Sequence, residues 1–523
     1  MQEGRALRSL AVYLVACVLV SGCLVRADFP VNVRTGLDQA APAAAVDANG
    51  NFVVVWSSYY DGKSNEIRAR LFDNTGEPLT DELQINQTQP GNQKAPAVAM
   101  DRSGSFVVVW QGPGDDANDI WCRRFDANGS PDGNEFIVNT DRVDEQVSPA
   151  IAMNDSGRHI IVWESNGVPN AGAKAICGRI FHGDGSEVGG ELVLSDGNNV
   201  CRFPAVALSN DANAVIAWVE DSATQEVRRR LFVADGNAPV YGSVKVNDSP
   251  NFDSLTRPSI AMDSAGNFLI AWDGHPTDHD QDDVYIRAFH RTGAWHDQYR
   301  VNDGNDGAQR NPLVALYDDG QFLVFWEGDS PEQINKRDIF GQRFTVDFDK
   351  TADPVKIGRR FLMNTYLYED QRNTAACRRD DGSFVAAWQS FGQDGSQEGV
   401  FARLGPLVGS ADLDGDGFVD FVDYALFAAR WAQQAPDSAA NLINDNRIDS
   451  KDLRSFAEQW LTYRYTCDQA NVDGKDGIDF TDFAVLAADW KNHGPLAGDI
   501  DKNGTVDEHD LDWLTLHWAA DCN

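Results

Sequence analysis

Residues 45–56, AVDANGNFVVVW, and residues 99–110, AMDRSGSFVVVW, share one alternation: small and apolar residues, a polar turn ending in Gly, then an apolar run closed by Trp. The closing Trp recurs at Trp56, Trp110, Trp163, Trp218, Trp272, Trp326 and Trp388, so the pattern is written seven times. Self-similarity of this kind marks a repeat architecture. The second copy shows the whole plan: APAVAMD, the turn RSG, SFVVVW, a variable polar loop, DIWCRRFD, the turn ANG and EFIVNT. Its four apolar runs are short, β-rich and bounded by Gly, Asn or Asp, residues that accept turn backbone conformations. Each copy therefore predicts a four-stranded meander.

Four strands repeated at roughly 40 to 50 residues are the pattern of propeller blades. The spacing predicts an all-β seven-bladed β-propeller over residues 28–408, with a linear β-solenoid as the alternative. Small residues stand three after each strand-opening position, at Ala45, Ala99, Ala152, Ala207, Ala261, Ala315 and Cys377, as an innermost strand requires where blades converge. Arginines recur on the third strand at Arg70, Arg123, Arg179, Arg230, Arg287 and Arg403, with Gln342 as the exception. Because they follow the repeat, they read as structural. The seventh copy stops after its third strand, GVFARL, whereas a fourth-strand sequence, Val31-Asn32-Val33, precedes the first copy. Pairing Val31 to Val33 with Val400 to Leu404 would close the ring and remove its open edges.

Charge and the amino-terminal segment add an address. The 523 residues hold 80 acidic against 44 basic side chains, a formal net charge of −36, which argues against nucleic acid or an anionic membrane surface as partner. Residues 1–27 carry Arg5 and Arg8, the apolar run LAVYLVACVLV and then small residues, the layout of a secretory signal peptide, so the expectation is an extracellular or cell-surface protein. Two processing sites compete. Val25-Arg26-Ala27 suits ordinary signal cleavage, and LVSGC ending at Cys23 suits a lipoprotein box, which would give membrane attachment through a lipidated Cys23. Cys122, Cys177, Cys201 and Cys377 are irregularly placed and read as small buried hydrophobes. Cys467 and Cys522 bracket the last module of an exported chain and are expected to pair.

After Leu407 the β pattern gives way to DLDGDGFVDFVD at residues 412–423. Oxygen ligands at loop positions 1, 3, 5, 9 and 12 are Asp412, Asp414, Asp416, Asp420 and Asp423, with the Phe418 carbonyl between them and Gly417 at the sharp turn. Ca2+ takes six to eight oxygens at flexible distances, and this spacing supplies them from one loop. DIDKNGTVDEHD at residues 499–510 repeats the set with Asp499, Asp501, Asn503, Asp507 and Asp510, and Thr505 at the carbonyl position. Two further units, at residues 441–452 and 471–482, have Ile443 and Lys475 where ligands belong. All four units place an apolar residue after the last Asp and a Trp seven later, core spacing on a short helix.

Tandem loops of this form, each with one following helix, resemble the dockerin type I family over roughly residues 410–523. The resemblance implies two small α-helical calcium-loop modules, at residues 409–465 and 466–523, and a cohesin-like or cell-surface protein partner. Family members attach secreted polysaccharide-degrading enzymes to cohesin modules, usually through a Ser-Thr-like pair before the last Asp. Here those pairs are Phe421-Val422, Ser450-Lys451, Phe480-Thr481 and Glu508-His509.

Within the propeller, variable loops follow each Trp, and variation belongs on the working face of a rigid scaffold. The fifth copy has the most unusual loop, with His275, Asp278, His279, Asp280, Asp282 and Asp283, donor types suited to a metal but read first as a solvated acidic loop. Asp273 and Glu327 follow their Trp residues at equivalent strand ends of neighbouring blades, the residue pairing that glycoside hydrolysis uses. The corresponding residues elsewhere are Ser57, Gln111, Glu164, Val219 and Gln389. No blade-specific catalytic set emerges, so no catalytic residue is assigned. The favoured reading is a binding or scaffold propeller with a calcium-loop docking module; the alternative is a glycan-active enzyme, a glycoside hydrolase or lyase.

Overall fold

The computed structural model describes residues 28–405, apart from 60–63, 88–90, 167–173, 197–198, 223, 235–241, 249–251, 277–280, 303–306, 331–335 and 351. The expected signal segment, calcium loops and Cys467–Cys522 pairing lie outside the described residues. Asp28–Gly405 is one compact unit.

Seven antiparallel sheets make the seven blades of a β-propeller, each strand hydrogen-bonded to the next in chain order. Blade one runs Gln39–Val46, Phe52–Tyr59, Asn65–Phe72 and Leu83–Gln84, and blade six Gln309–Leu316, Gln321–Asp329, Arg337–Thr345 and Val355–Leu362. The first strands of successive blades touch one another around a closed ring, so they line the axis. The turn after each first strand is closed by its own side chain. Asp101 Oδ1 accepts the Ser103 and Ser105 amides at 2.8 and 3.1 Å while Gly104 takes φ 90°, a conformation that suits Gly. Blade five differs: its first strand is split into Phe252–Leu255 and Ser259–Met262.

The core lies between blades. All seven Trp are fully buried. Trp110, for example, packs with Val53, Val55, Ile67 and Leu71 of the preceding blade. Five of the indoles donate to a Gln 17 residues earlier, as Trp110 does to Gln93 at 2.8 Å and Trp388 to Gln371 at 3.1 Å. At that spacing Trp218 has Cys201 and Trp272 has Leu255, and neither indole N–H has a hydrogen-bond partner.

The third-strand arginines fasten blade to blade. Arg123 Nη1 donates to the Ile85 carbonyl at 2.8 Å, Arg179 to Val138 at 2.7 Å, Arg230 to Leu194 at 2.5 Å and Arg403 to Met363 at 2.7 Å; Arg287 reaches Val246, and Arg70 reaches Val31 at 3.2 Å. Each acceptor belongs to the outermost segment of the preceding blade. A hydrogen bond to a charged group contributes about 1.5–3 kcal/mol, so the set outweighs any single core contact. At the exception, Gln342 Nε2 turns to the Arg343 and Ile357 carbonyls of its own blade at 2.9 and 3.0 Å.

The amino-terminal strand closes the ring, in a register two residues earlier than the sequence predicted. Phe29 pairs with Ala402 and Pro30 with Phe401, the Val31 amide donates to the Val400 carbonyl at 2.8 Å, and Asn32 Oδ1 accepts the Val400 amide at 2.7 Å. Val33 is 59% exposed and leaves the sheet toward Glu82 of blade one. The reason is side-chain alternation: this register buries Phe29 and Val31 among Phe52, Trp56 and Phe72 of blade one. Asp28 adds a bond to blade six, accepting the Thr365 amide at 2.7 Å. Seven residues thus join three blades. Deleting residues 28–34 from the full chain is expected to cost at least about 3 kcal/mol, the scale of losing one buried Phe. Denaturant unfolding followed by Trp fluorescence checks this, and an unchanged midpoint would refute it.

Candidate functional site

At the loop end of the inner strands six of the seven blades share one backbone feature. The residue before the strand-opening Pro, or before Thr374 in the last blade, sits in the left-handed region and forms a bulge, and blade five, with its split first strand, is the exception. Ala41, Ala95, Ser148, Phe203, Asn311 and Asn373 take φ between 49° and 56° there. This turns the amide away from its own ladder, and the side chain after the Trp of the preceding blade accepts it. Gln389 Oε1 receives Ala41 at 3.3 Å, Gln111 receives Ser148 at 3.0 Å, Glu164 receives Phe203 at 2.9 Å and Glu327 receives Asn373 at 2.7 Å. In blade one Ser57 instead donates to the Gln93 carbonyl at 3.0 Å.

Asp273 and Glu327 belong to this set, and both are fully buried. Asp273 accepts the Thr256 hydroxyl and the Asn311 amide, while its Oδ2 is buried without a partner. Burial pushes its carboxyl up to about 7. Glu327 accepts the Asn311 side-chain amide at 3.0 Å and Arg337 Nη1 at 2.7 Å besides the Asn373 amide; burial raises its pKa against the pull of Arg337. Asn311 therefore contacts both carboxyls. The two acids stand at neighbouring strand ends, as the repeat predicts, but they are sealed, and they act as blade-to-blade fasteners.

Of the blade-five acidic loop, His275, Asp282 and Asp283 are described; Asp278, His279 and Asp280 lie outside. Asp282 bridges His275 Nδ1 at 3.3 Å and Arg310 Nε at 2.5 Å, and Asp283 accepts the Asn302 amide at 2.8 Å. Among the described residues no three His, Cys, Asp or Glu side chains converge as a metal site. The propeller cysteines are free. Burial pushes the Cys177 thiol up to about 12 and Cys201 to about 11, so these behave as packing residues and not as thiolates.

Open on this rim, alongside exposed acids such as Asp115, Asp144 and Asp329, stands a set of cations. Two residues before the Pro stand Arg202 and Arg310, with Arg372 equivalent in the last blade; in blade five the cation is Arg257, one place later. Lys94 takes the position in blade two, and Ala40 and Val147 in blades one and three. Arg202 pairs with Asp221, Arg310 with Asp282 and Arg372 with Glu398. In each pair the carboxylate is the more buried partner: 24%, 17% and 9% of side-chain area is exposed, against 39%, 42% and 35% for the arginines. Arg257 is exposed and lies over the Phe203 ring, 5.6 Å from its centroid. Sequence reading missed this arc; the signal is a basic residue at one fixed offset from the strand-opening Pro.

The raised Asp273 pKa has a stability consequence. Between about 3.8 and about 7 the native state binds this proton more tightly than the unfolded chain does, so its contribution to stability is greatest at low pH and falls as pH rises to about 7. Asp273→Asn mimics the protonated acid. Its stability relative to the parent should grow from pH 4 to pH 7 by up to about 4 kcal/mol. Denaturant midpoints across pH measure this, and a pH-independent difference would refute the assignment.

No family model and no curated protein sequence matches the chain. Solved structures similar to it include a protein of unknown function from Dyadobacter fermentans, at 10% identity and TM-score 0.40 over 72% of this chain and 97% of the other. An α-L-arabinofuranosidase of Fusarium graminearum gives 10% identity and TM-score 0.40 over 61% and 98%, and a sialidase of Streptococcus pneumoniae 10% and 0.40 over 72% and 70%. Similarity this distant transfers no activity to the chain.

Proposed function

We propose that the protein is an exported binding or scaffold propeller, with its ligand at the loop-face mouth and a calcium-loop module for docking to a protein partner. The observation that carries the binding reading is the division of labour at the mouth. The two candidate acids, Asp273 and Glu327, are buried and committed to holding blades together, whereas guanidinium and amide donors such as Arg257, Arg310 and Asn373 are exposed or half-exposed. An acid pair sealed in this way cannot reach a substrate, while open donors suit recognition. Dockerin-like loops usually accompany glycan-active enzymes, so the competing reading is polysaccharide hydrolysis or cleavage. Incubating the full-length protein with a panel of polysaccharides should release no reducing ends; sustained, protein-dependent release would overturn the binding reading.

The docking part of the proposal rests on the two complete ligand sets, Asp412, Asp414, Asp416, Phe418, Asp420 and Asp423, and Asp499, Asp501, Asn503, Thr505, Asp507 and Asp510. Calcium at 100-fold above its dissociation constant would stabilise each module by about 2.7 kcal/mol. Calorimetric titration should count two strong sites per chain, and Asp414→Ala should remove one of them. Four comparable sites, or none, would sink this assignment.

A further inference from the structure

We propose, building on the binding reading, that the mouth of blades four to seven takes an anionic polysaccharide, whose carboxylate or sulfate groups pair with Arg202, Arg257, Arg310 and Arg372. Arg202, Arg310 and Arg372 occupy matching places on first strands, Arg257 sits in the break of blade five's first strand, and the first strands form the ring around the axis. They therefore make a continuous arc, in a chain whose formal charge is −36. The arc departs from the repeat, since Ala40 and Val147 hold the position in blades one and three. The third-strand arginines follow the repeat and are spent on backbone carbonyls; these are not. In solution salt screens the acidic field beyond roughly 8–10 Å, so what a ligand meets is set by the local balance, in which Arg202, Arg310 and Arg372 each face a paired carboxylate and Arg257 has none among the described residues.

Three arginines are held by more buried carboxylates, which orient each guanidinium while 39%, 42% and 35% of the arginine side chains stay exposed. A planar fork so fixed matches carboxylate and sulfate oxygens. Arg257 makes no ion pair among the described residues and lies over Phe203. Phe203 is itself unusual: a bulky aromatic at φ 56°, where five other blades place Ala, Ser or Asn. Backbone conformations this unfavourable for a large side chain concentrate at ligand-binding positions. An aromatic ring capped by a guanidinium presents an apolar face beside a positive charge, the two features of an acidic sugar ring. The spread over four blades suits a polymer with repeating charges. An acidic polypeptide would use the same cations but offers no rigid C–H face to Phe203.

The test measures binding of the full-length protein to polygalacturonate, chondroitin sulfate, neutral arabinan and poly-L-glutamate, for the parent, Arg257→Ala and the opposite-face control Arg291→Ala. Binding to polygalacturonate alone assigns carboxylate recognition and to chondroitin sulfate alone sulfate recognition; either supports the inference. In both cases affinity should fall as salt rises from about 50 to about 200 mM. It should also fall about tenfold in Arg257→Ala, with Arg291→Ala unchanged. Arabinan bound as tightly, insensitive to Arg257→Ala, would leave the binding reading standing and overturn this one. Tighter binding of poly-L-glutamate would overturn the polysaccharide assignment, and no binding to any probe would overturn the inference. A folded Arg257→Ala variant that binds like the parent would also overturn it, and Arg310→Gln then checks the neighbouring blade.

Discussion

The guanidinium-to-carbonyl bond between successive blades is the interaction on which the rest of the structure depends. A blade is a small sheet with two apolar faces, and it is stable only when both are covered by neighbours. The arginine of each third strand reaches the outermost segment of the blade before it and fixes the angle at which the apolar faces meet. A carboxylate or amide from the next blade often adds a second fastening, as Glu135 does by accepting the Gln87 amide at 2.6 Å and Glu191 by accepting Thr140 at 2.6 Å. Ring closure uses the same parts. Val31 supplies the carbonyl for Arg70, and Asn32 supplies the cap for Val400.

At the loop face the same economy decides which side chains are left for a ligand. Five of the six left-handed bulge residues turn their amide toward the preceding blade, where the side chain after the Trp accepts it, and Ala95 is the exception. Asp273 and Glu327 are absorbed by this requirement. Their raised pKa values follow from burial, which outweighs the lowering pull of the hydrogen bonds that staple the blades, so a perturbed carboxyl here is a structural consequence. Groups just upstream of the bulge carry no such duty, and that is where Arg202, Arg310 and Arg372 stand.

The blade-five irregularity ties the two themes together. Blade five has Leu255 where five blades have the Gln that holds the Trp indole, leaving the Trp272 N–H unpartnered, and its first strand is split at Arg257-Pro258. The same break places an exposed Arg257 beside Phe203 of blade four. A local loss of regular pairing thus coincides with the most exposed cation of the arc, where a repeat protein can vary without weakening its ring.

By itself the sequence determined the repeat and its count, the four strands per blade, the small inner residues, the structural arginines and closure by an amino-terminal strand. These depend on side-chain alternation, turn residues and spacing, which are local and repeat seven times over. The proposed calcium-loop ligand sets are likewise local, each contained within twelve consecutive residues that lie outside the described ones. Only the tertiary structure decided the closure register, because which of Phe29, Val31 or Val33 faces inward depends on the cavity that blade one presents. The same holds for the sealed state of Asp273 and Glu327 and for the arginine arc. Those features join residues of different strands and blades, and their exposure depends on what the neighbouring blade places in front of them.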